Sequence, residues 1–182
     1  TNLNRQVLFT SKELGKYKVD QARKVIKNIN KKIKITSYRK AITKKNINSI
    51  LKNYDIICDG TDNFKSRYLI NDYCMKKKKI LISAAISKYD GHIFKFNFKK
   101  RTPCFRCFMP QIPKNQYNCD TEGIISTLAG IMGTMQANEV IKSIINSKND
   151  LSGKMIVFNS LSLDFRKVKL SSNTNCINEC KK

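Results

Sequence analysis

Apolar residues along the 182-residue chain recur at two periods, which divide it into helices and short strands. Ser11 can cap a helix, and Leu14, Val19, Ala22, Val25, Ile26 and Ile29 follow at near-helical spacing, so residues 11 to 30 are predicted helical. Ile33 and Ile35 alternate with polar neighbours and predict a short strand over Lys32–Tyr38, and Ile47–Asn53 predicts a second, shorter helix. Tyr54–Cys58 is an apolar run that ends in Asp59-Gly60-Thr61-Asp62-Asn63; a buried strand entering a polar, glycine-containing turn is the pattern of a parallel sheet. Asn63–Lys76 reads as a helix, Ile80–Ala85 as another buried strand, and His92–Phe98 alternates as a half-exposed one. Thr102–Tyr117 holds all 3 prolines and is a predicted loop. Gly123–Ile145 is a long helix with one apolar side, Met155–Asn159 and Phe165–Leu170 are late strands, and the last dozen residues are loop-like. Helix and strand in alternation mean an α/β fold with a mainly parallel sheet, which binds ligands at the carboxyl ends of its strands.

Composition narrows this picture. At 182 residues, 41% hydrophobic and a mean hydropathy of -0.43, the chain is long enough for one domain with a real core, in a soluble protein. There is no apolar run long enough for a transmembrane helix and no secretory leader, so no membrane partner is expected. The chain starts at Thr1, not at a methionine, which suggests a fragment or a processed product. The net charge of +23 invites nucleic acid. Against that, Lys, Asn and Ile are used in strands, helices and loops alike, as A/T-rich codon bias would produce, and the cations do not interleave with aromatics. Nucleic acid is therefore not expected as a partner, and Lys76–Lys79 reads as a solvated turn. The positive field could instead recruit an acidic carrier protein or ATP.

Seven cysteines are present. Cys58 and Cys74 lie inside apolar segments and read as small core residues. Cys104 and Cys107 form a Cys-x-x-Cys pair, Cys176 and Cys180 a looser one, and Cys119 stands in a polar loop. The expected compartment is reducing, the cytoplasm or one such as the plastid stroma, where paired cysteines read as metal ligands before disulfides. Two pairs can close a tetrahedral zinc site; the plainer reading is two unrelated thiol pairs.

Three further strings carry candidate chemistry. Thr1-Asn2-Leu3-Asn4-Arg5-Gln6 clusters a guanidinium with amides, groups suited to phosphate and ribose oxygens. Gly15-Lys16-Tyr17-Lys18 sets a lysine at a helix start, where backbone N–H groups add to its charge. In Asp59–Asn63 the carboxylate of Asp62 could share Mg²⁺ with phosphates; equally, the segment could be only an Asp/Asn turn with a helix N-cap. His92, the only histidine, receives no role.

These strings, in this order, resemble those of the MoeB/ThiF/HesA family over essentially the whole chain. So do Asn118-Cys119-Asp120-Thr121-Glu122-Gly123 and the helical Gly130-Ile131-Met132-Gly133-Thr134-Met135-Gln136-Ala137-Asn138-Glu139, the latter read as core and dimer packing. The resemblance implies a Rossmann-like, mostly parallel sheet with helices on both faces and a zinc-bearing C-terminal extension, a single, N-terminally truncated ThiF-type adenylation domain over residues 1–182. It implies ATP-dependent adenylation of the C-terminal glycine of a ubiquitin-like sulfur carrier, ThiS- or MoaD-like, for thiamine or molybdopterin synthesis. Asn4 and the Asn-Cys-x-Thr string lean toward the thiamine branch. By the same resemblance Asn2, Leu3, Asn4, Arg5, Lys18, Asp62 and Asn63 line the ATP and Mg²⁺ site, with Arg5 and Asp62 acting on the phosphates. Cys104, Cys107, Cys176 and Cys180 hold Zn²⁺. Cys119 is a candidate for accepting the activated acyl group or forming an acyl disulfide with a sulfurated partner, with a dispensable role equally open. A homodimer and a sulfurtransferase partner are also implied.

Two departures stand out. The second cysteine pair is spaced by three residues where the family has two. The family's glycine-rich turn, its ribose-binding acidic residue and an arginine that reaches the partner subunit have no counterpart, so this chain as written is expected not to adenylate efficiently alone. The alternatives are a non-catalytic remnant or carrier-binding module of the same fold, and a nucleotide-dependent oxidoreductase, against which the Asp-x-Thr-Asp-Asn string and the paired cysteines count.

Overall fold

A computed structural model describes residues 2–100, 102–112, 123–178 and 180. The chain divides into two compact units, Thr1–Ile42 and Thr43–Lys182.

The first unit holds a short 3-10 turn, Ser11–Glu13, and helix α1, Lys18–Ile29. The helix starts later than its apolar spacing suggested. Thr10 and Glu13 close a reciprocal capping box around the 3-10 turn, and Gly15 then takes φ +78, a left-handed conformation that ends any continuous helix. The strand predicted over Lys32–Tyr38 does not form. The segment has no regular structure, and Ile33 is left 44% exposed. Two alternating isoleucines do not hold a strand without a neighbour to complete its hydrogen-bond ladder.

The second unit is built on a five-stranded sheet in the order β1 (Ile56–Asp59), β2 (Ile80–Ser87), β3 (Asp90–Asn97), β4 (Lys154–Asn159) and β5 (Asp164–Lys169). Its helices among the described residues are α2 (Ile47–Leu51), α3 (Phe64–Lys76), α4 (Phe105–Phe108) and α5 (Ser126–Ile144). The α/β class is as expected, but the sheet is mixed and not mostly parallel. Among the described strands only β1 and β2 run parallel, with α3 as the crossover between them, while the three later pairings are antiparallel. For β2–β3 and β4–β5 the physical reason lies in the connections. Ser87 to Asp90 and Asn159 to Asp164 are too short for the dozen or more residues that a parallel crossover needs. Lys88, with φ 43, makes the first of these tight turns.

Both faces of the inner strands β2 and β3 are covered. On one, Ile82 and Ile93 pack with Leu128 and Met132 of α5 and with Phe158. On the other, Phe94 meets Phe105 of α4 edge-on at 5.7 Å between ring centroids, and Phe105 meets Tyr68 of α3 at 5.4 Å. Full burial of each such side chain contributes roughly 1.5–3 kcal/mol. The closest approach is at Gly91 of β3, where a Cβ would lie 2.3 Å from the Met132 sulfur. Gly130 and Gly133, read as packing positions, have no atom of the described residues packed within 4 Å of an added Cβ.

Strand β3 is buried on both faces, not half-exposed. The apparent alternation was carried by Lys95, which is 0% exposed. Its ammonium pairs with Asp150 at 2.8 Å and Glu139 at 3.3 Å, so a charge that reads as a solvent position is neutralised inside the core. Cys58, expected in the core, is exposed on the edge strand β1, whereas Cys74 is buried as expected. The predicted proline-rich loop contains the four-residue helix α4.

Candidate functional site

The Asp59–Asn63 string forms the turn at the carboxyl end of β1 and opens α3. Its geometry is set by Asp59, which is 1% exposed. One carboxylate oxygen accepts from the Thr61 N–H at 2.9 Å and the Thr61 hydroxyl at 2.7 Å, an Asx-type turn. The other accepts from Ser83 Oγ at 2.7 Å and lies 3.4 Å from Arg67 Nε. Arg67 in turn donates to the carbonyl oxygens of Thr61, at 2.6 Å, and Ala84, at 3.3 Å. From the far face, Gln136 of α5 donates to the carbonyls of Asp59 at 3.1 Å and Ile82 at 2.8 Å. The turn is thus held from β2, α3 and α5 together.

This support isolates the next two residues. Asn63 caps α3, accepting from the Ser66 N–H at 2.8 Å, and donates to Asp62 Oδ1 at 3.2 Å. Both are exposed. The cap is real, and Asp62 remains presented to solvent beside a helix N-terminus, where backbone N–H groups favour anions. Sequence reasoning found Asp62 and Asn63 but missed Asp59, Arg67, Ser83 and Gln136. Arg67 stands four residues after Asn63, and no local pattern marks it as the partner of Asp59.

In the first unit, Arg5 donates to Asn2 Oδ1 at 2.7 Å and Asn4 Oδ1 at 3.1 Å, which gathers the predicted guanidinium and amides into one cluster. Lys18 is the first residue of α1 and is exposed, the expected place for a lysine at a helix start. A recess of about 170 Å³ draws on both strings, with Asn2, Leu3, Gly15, Lys16 and Lys18 among its lining. It is smaller than the roughly 300–1,000 Å³ of sites that enclose drug-sized ligands, so it can hold a part of a nucleotide such as a phosphate.

The four predicted metal ligands come together. The Sγ atoms of Cys104, Cys107, Cys176 and Cys180 all lie within 4.8 Å of one another. Cys104 and Cys176 are 3.6 Å apart, and Cys176 and Cys180 3.7 Å. Disulfides would need about 2.05 Å. Four thiolates at about 2.3 Å from one Zn²⁺ sit about 3.8 Å from each other, so the residues fit that ion. The longer Cys176/Cys180 spacing does not prevent convergence. Burial pushes the Cys176 thiol up to about 11 and Cys180 higher still. At Cys107 burial also opposes ionisation, but hydrogen bonds from the backbone at Cys104 and Asn173 and from the neighbouring thiols outweigh it and hold the thiol below its ordinary value. Thiols so crowded ionise together only around a cation. Such an ion would supply a closed structural cross-link. Cys119 lies outside the described residues.

The family model described as "ThiF family" matches residues 1–178. Among curated proteins, the chain is 37% identical to "Adenylyltransferase and sulfurtransferase MOCS3" of Culex quinquefasciatus, over 93% of this chain and 39% of that protein. It is 36% identical to "Probable molybdopterin-synthase adenylyltransferase" of Pyropia yezoensis, over 93% of this chain and 46% of that protein. The chain therefore spans less than half the length of these two relatives. Among solved structures, E. coli MccB with ATP superimposes with a TM-score of 0.81 at 19% identity, covering 97% of this chain and 55% of that one. At that identity the likeness speaks for the fold.

Proposed function

The chain belongs to the ThiF family, whose model spans residues 1–178, and from that membership we propose that it is part of an enzyme that adenylates a ubiquitin-like sulfur carrier. The observation that carries the reading is the β1–α3 turn. A buried network rooted in Asp59 and Arg67 holds a turn whose next carboxylate, Asp62, is exposed at the carboxyl end of a parallel strand. Ligands of α/β sheets bind at such ends.

In the proposed reaction, the C-terminal carboxylate of the carrier attacks the α-phosphorus of ATP. An acyl-adenylate forms and pyrophosphate leaves. The carboxylate is already ionised near neutral pH, so no general base is required. Catalysis then rests on positioning and charge stabilisation. Arg5 and Lys18 supply cations suited to phosphate oxygens, and Asp62 supplies the hard oxygen that Mg²⁺ takes. The cysteine quartet fits a structural zinc, which would cross-link the C-terminal residues to the α4 turn. The names of the relatives favour a MoaD-like carrier and molybdopterin synthesis over the thiamine branch, with a sulfurtransferase acting on the adenylated carrier. We propose further that residues 1–182 belong to a single adenylation domain that works as a homodimer. No helix of the described residues is long and apolar enough to cross a membrane.

Carrier-dependent exchange of labelled pyrophosphate into ATP, assayed on the complete gene product, tests this reading. Exchange that requires a carrier with an intact C-terminal glycine supports it. ATP binding without exchange would leave a carrier-binding module in its place.

A further inference from the structure

The thiol quartet is assembled from two turns some seventy residues apart in sequence, and one carboxylate touches both. Asp72 lies on α3, away from the Asp62 end. Its two oxygens take a bidentate pair from Arg106, with Nε to Oδ1 at 2.8 Å and Nη2 to Oδ2 at 2.7 Å. Its Oδ1 also accepts from Asn178 Nδ2 at 2.9 Å. Arg106 sits between Cys104 and Cys107, and Asn178 sits between Cys176 and Cys180. Asn178 Nδ2 also lies 3.6 Å from Cys104 Sγ, so one amide group bridges the carboxylate and a thiol of the opposite pair. An amide NH₂ has two hydrogens, enough for both contacts.

The surroundings make this arrangement stiff. Asn71, 0% exposed, accepts from the Phe105 N–H at 2.9 Å and donates to Asp72 Oδ1 at 3.1 Å. The Arg106 guanidinium lies over the Tyr68 ring at 4.4 Å, and the Tyr68 hydroxyl donates to the Met109 carbonyl at 2.7 Å. Asn71, Asp72 and Tyr68 of α3 thus hold the first cysteine turn, and the second turn reaches α3 through Asn178.

We propose that Asp72 is a positioning residue for the metal centre: through Arg106 and Asn178 it holds the two cysteine turns together, so that four thiols stand at zinc-binding distance before the ion arrives. Asn178 is the residue through which the longer Cys176–Cys180 turn takes part. The inference rests on the reading of the quartet as a zinc site. Groups that orient metal ligands in this way are worth about 10–100-fold in affinity.

The test is competition for Zn²⁺ between the full chain and a chromophoric chelator, with Co²⁺ absorption as a second readout. Wild type should bind one Zn²⁺ and give an intense thiolate-to-cobalt band. Asp72→Ala should lose about 10–100-fold in affinity, and Asn178→Ala a smaller part of that. The double variant should lose no more than Asp72→Ala alone, since the two residues act in one chain of contacts. Asp72→Asn and Asn178→Ala carry the test where Asp72→Ala fails to fold. A purely structural Asp72 would lower the unfolding midpoint while leaving the affinity of the folded chain unchanged. Wild-type affinity in the folded variants, or losses that simply add, would overturn the inference. A wild-type chain that binds no zinc would overturn the zinc reading with it.

Discussion

The two ends of helix α3 do opposite things with the same kinds of residue. At its N-terminus, Asp62 and Asn63 are exposed and rest on a buried support made by Asp59, Arg67 and Ser83. Near its C-terminus, Asp72 is drawn inward and its hydrogen bonds are taken by Arg106, Asn71 and Asn178. Burial pushes the Asp72 carboxyl up, but these three partners outweigh it and hold the group below its usual value. One end keeps a carboxylate available for a ligand; the other uses a carboxylate to close a site around its own thiols. Changes at the first end should cost activity, and changes at the second should cost metal. Changes to the buried support should cost the fold.

The largest stability effect falls on the support. Asp59→Ala leaves Arg67 buried without its partner, and loss of one member of a buried pair costs about 3–5 kcal/mol. Urea denaturation should show that loss; a value under about 1 kcal/mol would mean that the Asp59 network does not hold the turn. The cap is worth less. Asn63→Ala removes the acceptor for the Ser66 N–H and should cost about 0.5–2 kcal/mol, read in the same way.

The smallest effect separates the carboxylates by pH. Asp72, and Asp150 beside Lys95, are both held below the ordinary carboxylate range; at Asp150 burial opposes this, and Lys95 and Ser152 override it. Their folded values lie below the unfolded value of about 3.9, so their contribution is complete above that pH and is lost as pH falls through the folded values. In chelator-treated protein, the urea midpoint of Asp72→Asn should therefore fall less steeply than that of wild type below about pH 4. Parallel slopes would mean that Asp72 is not paired in the folded state.

What could be read from the sequence divides along the same line. Asp59–Asn63 is contiguous, follows an apolar strand and precedes a helical repeat, so the turn and its candidate carboxylate were legible. The two cysteine pairs were legible as pairs. Their convergence was implied only by the family resemblance, because nothing local brings Cys104 beside Cys176. Asp72, Arg67, Gln136 and Lys95 were not legible as partners. Each acts across the sheet or between distant turns, and a charged or amide residue there looks like any solvent-facing position. Lys95 shows the cost of that ambiguity: its charge made a doubly buried strand look half-exposed. The parallel character of the sheet was overestimated for a related reason. Periodicity reports burial, whereas a short connection rules out a parallel crossover, and the short 87–90 and 159–164 turns were the signal to weigh for β2–β3 and β4–β5.

The most direct measurement combines exchange and stability on one variant. Asp62→Ala, made in the complete gene product, should lose carrier-dependent pyrophosphate exchange by about 100-fold or more, the effect of removing a key electrostatic group. Because Asp62 is exposed, its unfolding free energy should stay within about 0.5 kcal/mol of wild type. Exchange near the wild-type rate in that folded variant would contradict the assignment of Asp62 and, with it, the account of α3 as a helix with one open and one closed end.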